Sequence, residues 1–336
     1  MKKVLAATLI LLLASPVCLW AMAPSPPDPP ETGYGSTQFY ITDSYTEYEM
    51  GDSGDGERVW WYVPEVLKNG DSAPVVIFLH GFLMVAPDIY MGHIEHLCSQ
   101  GYIVIFPQFN KGGISGVIQD MMLNADQNDF LTRAIDATNL ALTQLGGIAE
   151  TDDMVLYGHS VGGLMALCWA GFDGPAVQRV VLASPCLDNT EAMPSFVSSM
   201  MEGLITNLDY EALGPATQCP VTILWGNDDA LATASQMESV VDALPNAASI
   251  RLYTAFSDDN GNPEIIADHM ACAQDDGWMP SLLMDMFGGD CEEDSLDYRY
   301  FYAGLDQALD GLIDMAFDMG AWSDGEPVVP VIEGLP

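Results

Sequence analysis

Ser160 lies in the stretch Tyr157-Gly158-His159-Ser160-Val161-Gly162-Gly163, between an apolar run at 154–157 and a second one at 164–170. The first run reads as a buried strand and the second as a helix packed on a sheet. G-x-S-x-G at such a junction is the pattern of a nucleophile elbow. A turn this tight holds the serine in a strained backbone conformation. Gly158 and Gly162 flank it because a side chain there would collide with the neighbouring strand or helix. The hydroxyl then projects from the sheet's edge. The N–H of Val161, at the start of the helix, points toward any oxyanion that forms. A plain Gly-rich turn whose serine only caps the helix has the same pentapeptide, so residues elsewhere must decide between the two.

A serine nucleophile needs a base that takes and returns a proton near neutral pH. Five histidines are available: His80, His93, His96, His159 and His269. His159 adjoins Ser160, but its side chain leaves the elbow in another direction. His80 belongs to the turn after the third strand and reads as structural. His93 and His96 flank Ile94-Glu95 on a helix; they do not form H-E-x-x-H and have no evident third ligand, so a metal is not expected. His269, in Ala267-Asp268-His269-Met270 after the last strand, is left as the base. An acid should orient it. Gly226-Asn227-Asp228-Asp229-Ala230-Leu231-Ala232 follows a strand and offers two adjacent carboxylates, of which Asp229 is the first choice and Asp228 the second. A second oxyanion donor should come from the turn His80-Gly81-Phe82, which makes the Phe82 N–H the partner of the Val161 N–H. No cofactor is required.

These groups need a scaffold. Strands are predicted at 38–41, 59–63, 73–79, 101–107, 154–157, 179–184, 221–225 and 250–253, and helices at 91–100, 128–145, after Ser160, and along a stripe at 298–317. Continuous apolar runs such as 73–79 mark strands buried on both faces. Strands alternating with helices imply an α/β fold, with a mostly parallel central sheet of about eight strands covered by helices on both faces. Ligands in such sheets sit at the C-terminal strand ends, where each chemical candidate lies.

The motifs carry a resemblance. Phe78-Leu79-His80-Gly81-Phe82, the G-H-S-x-G-G of residues 158–163, the G-x-x-D-x-x-A of residues 226–232 and the late Asp268-His269 are similar to those of α/β-hydrolases over roughly 36–320. Within that fold the chain resembles bacterial dienelactone-hydrolase-like, chlorophyllase-like and cutinase-like serine esterases. The resemblance implies the chain order Ser160, Asp229, His269, and its acid turn selects Asp229 over Asp228. It implies a carboxylic ester hydrolase working through an acyl-enzyme on small-molecule or lipid-like esters. A polyester or cutin-type hydrolase, a peptidase or an acyltransferase would use the same triad, and a non-catalytic binding module would use the same fold.

Composition bounds the setting. Lys2 and Lys3 precede an apolar run at 4–17 and the small-residue pattern Ala21-Met22-Ala23, so residues 1–23 read as a secretory signal peptide and the protein as secreted or periplasmic. No other apolar run is long enough to span a membrane, and no stable insertion is expected after processing. Residues 24–35 read as a Pro-rich linker, 36–320 as one domain with a small cap at 188–217, and 321–336 as a C-terminal tail. The formal net charge is −39, which repels nucleic acid and favours neutral or hydrophobic substrates over acidic ones. High salt, an acidic habitat and divalent-cation binding would each account for it; high salt ranks first because it screens self-repulsion. Seven cysteines are encoded, and the six beyond the leader suggest disulfides, with Cys272–Cys291 first among the pairings.

Overall fold

The structure, a computed structural model, describes residues 23–122, 125–188, 205–274, 289 and 293–336. Among the described residues, nine strands form the main sheet: β1 (Tyr45–Met50), β2 (Val59–Pro64), β3 (Ala73–Leu79), β4 (Ile103–Pro107), β5 (Ala149–His159), β6 (Arg179–Ala183), β7 (Val221–Gly226), β8 (Ile250–Ala255) and β9 (Ile332–Glu333). Their spatial order is β1-β2-β4-β3-β5-β6-β7-β8-β9. β3 to β8 pair in parallel, whereas β1, β2 and β9 run antiparallel to their neighbours. The α-helices among the described residues are α1 (Met91–Ser99), α2 (Gly113–Met122), α3 (Gln127–Leu145), α4 (Val161–Cys168), α5 (Tyr210–Leu213), α6 (Ala234–Asp242) and α7 (Ala303–Leu309).

The pleat divides the apolar runs between two cores. Val75, Ile77 and Leu79 of β3 join Phe130 and Ala134 of α3, Leu164 of α4 and Met237 of α6 on one face. Val76 and Phe78 join Ile94 and Leu97 of α1 and Leu305 of α7 on the other. That is why β3 is apolar without alternation and buried at every position. The helical coverage of both faces agrees with the sequence expectation.

Several local expectations need correction. The segment 38–41, expected as the first strand, contains instead a 3-10 turn, Thr37–Phe39, whose N-cap Ser36 accepts the N–H of Gln38. The first strand is β1, an exposed edge whose Glu47 and Glu49 hid it from a search for apolar runs. The expected helical stripe at 298–317 is helical only to Leu309, starting with a π-turn at Asp297–Tyr302. Gly311, at φ +82°, takes the left-handed conformation that ends such helices. Phe317 returns on a loop to pack on Tyr253 and Tyr300, with ring centroids 5.2 and 5.1 Å away, so the apolar spacing survives without the helix.

The segments read as linker and tail are held against the domain. Pro24 accepts the N–H of Asn262, Ser25 exchanges hydrogen bonds with Ser323, and Arg299 donates to the Asp28 carbonyl. Residues 332–333 supply β9, the ninth strand, on the edge of β8. Of the expected cap, residues 189–204 lie outside the described residues; the remainder holds Ile205–Thr206, paired in parallel with Ala125–Asp126, and α5. No disulfide joins any two of the described cysteines, and Cys291 lies outside them, as does any bridge it makes to Cys272. No helix among the described residues is long and apolar enough to cross a membrane.

Candidate active site

Four parallel strands deliver the site residues to one edge of the sheet. β3 ends at His80-Gly81-Phe82, β5 at Ser160, β7 runs into the turn of Asp229, and the loop after β8 carries His269. Ser160 has φ +57° and ψ −122°, the strained turn expected of an elbow. Its N–H donates to the Ala183 carbonyl at 3.1 Å, and its own carbonyl accepts the N–H groups of Gly163, Leu164 and Cys186. These bonds hold the strained residue in place. A Cβ on Gly158 would strike the Gly162 carbonyl, and one on Gly162 would strike the carbonyls of Leu79 and His80. The helix carrying Val161 can therefore press against the turn carrying Phe82. Replacing Gly162 by Ala is expected to lower stability by about 1–3 kcal/mol, the usual cost of forcing atoms into a packed site. A urea denaturation midpoint unchanged from wild type would contradict this packing.

Ser160, His269 and Asp229 form one hydrogen-bonded line. Ser160 Oγ is 2.8 Å from His269 Nε2. His269 Nδ1 is 3.0 and 2.9 Å from the two oxygens of Asp229. A carboxylate only accepts, so Nδ1 carries the proton and Nε2 is left to accept the serine O–H. Asp229 Oδ1 also accepts the N–H groups of Leu231 and Ala232, at 2.9 and 2.7 Å. The carboxylate is thereby aimed before any substrate arrives. The acid turn is in turn tied to the histidine loop, because the Asp228 N–H donates to the Ala267 carbonyl. All three side chains are at least nine-tenths buried. Asp228 is exposed, and its Oδ1 accepts from Asn227.

Of the two expected oxyanion donors, Phe82 and Val161, neither N–H is taken up by a hydrogen bond among the described residues. Leu83, the next residue, has φ +64°, and its N–H donates to Asn110 Oδ1 at 2.8 Å. The Phe82 ring rests on Phe130 of α3, with centroids 6.2 Å apart.

The other histidines are occupied elsewhere. His80 stacks on Phe109 at 3.8 Å and meets its neighbour's carbonyl, Gly81 O, through Nδ1. His96 pairs with Asp306 at 2.9 Å and with the Tyr40 hydroxyl at 3.0 Å. His159 does turn away from Ser160, but not into inert core: it reaches Tyr90 and the backbone of His269. Asn110 and Tyr90 were missed from the sequence. Asn110 lies just past a strand's C-terminal end, which is the one cue that could have marked it.

The sheet order, with its nucleophile elbow after β5, defines an α/β-hydrolase fold. The chlorophyllase family model matches residues 64–173, about a third of the chain, a span that carries Phe82, Ser160 and Val161 but ends before Asp229 and His269. No curated protein matches the chain. Among solved structures, esterase B of Lactobacillus rhamnosis is similar at 17% identity over 65% of this chain and 76% of that one, with a TM-score of 0.43. An esterase of Pyrococcus furiosus is similar at 17% identity over 63% and 83%, with a TM-score of 0.47. An acylaminoacyl peptidase of Pyrococcus horikoshii is similar at 14% identity over 64% of this chain and 37% of that one, with a TM-score of 0.49.

Proposed function

We propose that this chain is a secreted or periplasmic serine hydrolase that cleaves neutral or hydrophobic carboxylic esters. The observation that carries the reading is the unbroken line from Ser160 Oγ through His269 to Asp229. In the reaction His269 Nε2 takes the Ser160 proton as Oγ attacks the ester carbonyl carbon. The carbonyl oxygen becomes an oxyanion held by the N–H groups of Phe82 and Val161, each donor of this kind being worth roughly 10²–10³ in kcat. The tetrahedral species collapses, the bond to the alcohol oxygen breaks, and Nε2 returns its proton to that oxygen. Water, deprotonated by the same nitrogen, then cleaves the acyl-enzyme and restores Ser160. Asp229 keeps the imidazole in its working tautomer and stabilises the imidazolium. Export is supported by Lys2, Lys3 and the apolar run that follows them. The acidic surface favours uncharged substrates over anionic ones.

A fluorophosphonate probe should label the folded chain at one residue, Ser160, and abolish turnover of a panel of p-nitrophenyl esters graded by acyl length. Folded protein that takes up no probe and cleaves none of the esters would favour a binding module and overturn the reading.

A further inference from the structure

The residue before the nucleophile begins a second buried chain of hydrogen bonds, parallel to the triad. His159 Nε2 lies 2.9 Å from the backbone carbonyl of His269. A carbonyl only accepts, so Nε2 carries the proton and Nδ1 is bare. The Tyr90 hydroxyl lies 2.7 Å from that Nδ1 and therefore donates to it. The same hydroxyl oxygen accepts the N–H of Gly81 at 2.9 Å. With the His159 Nδ1 bare, the bonds run from Gly81 N–H to Tyr90 to His159 to the His269 carbonyl, and Met84 Sδ, 2.9 Å from the Tyr90 oxygen, is a second acceptor for the same O–H. Tyr90 and His159 are fully buried. Burial lowers His159 to about 3, so the ring is neutral and keeps this tautomer at any pH where an esterase is assayed.

The two ends of the chain are the two parts that the proposed chemistry needs aligned. At one end, Gly81 precedes Phe82. Its carbonyl, in the same peptide as the Phe82 N–H, accepts from Met84 N–H at 3.0 Å and from His80 Nδ1 at 2.6 Å. With its own N–H held by Tyr90, this glycine is pinned on both sides, and the direction of the Phe82 N–H follows. A glycine in a turn otherwise has the most freedom of any residue. At the other end, the His269 carbonyl belongs to the residue whose imidazole meets Ser160. Tyr90 is itself fixed, its ring 4.9 Å from Phe78 of β3.

We propose that His159 and Tyr90 are positioning residues that lock the oxyanion turn to the catalytic-histidine loop. The proposal rests on the ester-hydrolase reading above. The bridge touches no reacting atom and acts through Phe82 and His269.

The test uses the full chain, a short aryl ester, and kcat counted per site titrated with a fluorophosphonate, so that misfolded protein drops out. Ser160→Ala, which the probe cannot titrate, is the control, assayed per mole of folded protein, and turnover retained there would unseat the hydrolase reading rather than the bridge. Tyr90→Phe keeps the ring and removes the hydroxyl. It should lower kcat by roughly tenfold to 100-fold with KM little changed, the scale of a small misplacement or a lost supporting contact. His159→Phe should lower kcat by roughly 100-fold. The double variant should cost no more than the worse single one, because both cut the same chain. His159→Gln, whose amide N–H can serve the His269 carbonyl, should recover most of the loss. A merely structural role would lower the melting temperature and leave kcat per titrated site intact. Wild-type kcat per site in Tyr90→Phe, additive losses in the double variant, or no rescue by Gln would each overturn the bridge.

Discussion

Ser160→Ala is expected to remove turnover of a short aryl ester, with kcat falling by roughly 10⁴- to 10⁶-fold, the range seen when the nucleophile of such a triad is deleted. The loss is chemical. Alanine at φ +57° bears the same backbone strain as serine, and the four backbone bonds around residue 160 do not involve the hydroxyl. The melting temperature should therefore stay close to wild type. Ser160→Gly makes a useful companion. It should be equally inactive yet gain stability, since glycine adopts a positive φ without penalty. A folded Ser160→Ala protein that retains full esterase activity would remove Ser160 from the mechanism.

The two adjacent carboxylates should separate cleanly. Asp229→Ala is expected to lower kcat by roughly 10⁴-fold, because the imidazole loses both its tautomer control and the charge that stabilises its protonated form. It should also destabilise the fold, since the Leu231 and Ala232 N–H groups lose their acceptor. Asp229→Asn keeps the shape and most of the stability but offers the wrong hydrogen-bonding face to Nδ1, so its kcat should fall nearly as far. Asp228→Ala removes an exposed side chain that touches Asn227. Its kcat and stability should stay within about threefold and 0.5 kcal/mol of wild type, as for most surface positions. Measuring kcat and the urea midpoint for all three variants decides the matter, and equal damage from Asp228→Ala would reverse the assignment.

The reach of the amino-acid sequence differs from element to element. The apolar runs that became β3, β4 and β7 were legible because strands buried on both faces need no polar positions. β1 was not, because an edge strand exposed to water keeps its charges. β9 was not, because two residues pairing with β8 carry no pattern of their own. The 298–317 stripe misled for another reason: a loop and a helix can bury the same apolar residues once the core offers them a place, and Gly311 ended the helix early.

At the site, the elbow was readable because strand, tight turn and helix are contiguous, and the glycines it needs are local steric requirements. The order Ser160, Asp229, His269 was readable because each follows a strand. Asp229 was preferred to Asp228 because its turn resembles the acid turn of α/β-hydrolases, and its side-chain oxygen accepts the N–H groups two and three residues on. What no local pattern carried was distance. Ser160 and His269 are 109 positions apart, yet their side chains meet at 2.8 Å. That meeting depends on the parallel register of β3, β5, β7 and β8, which brings four separate strand ends to one rim. The role of His159 depends on it still more. By type alone it was a spare histidine beside Ser160; only when Tyr90 and the His269 backbone arrive from distant segments do its two nitrogens acquire partners. Residue types and short spacings thus determined which groups could react, because those are matters of local chemistry. Packing of the sheet decided which of them are held together, because hydrogen bonds act only over about 3 Å.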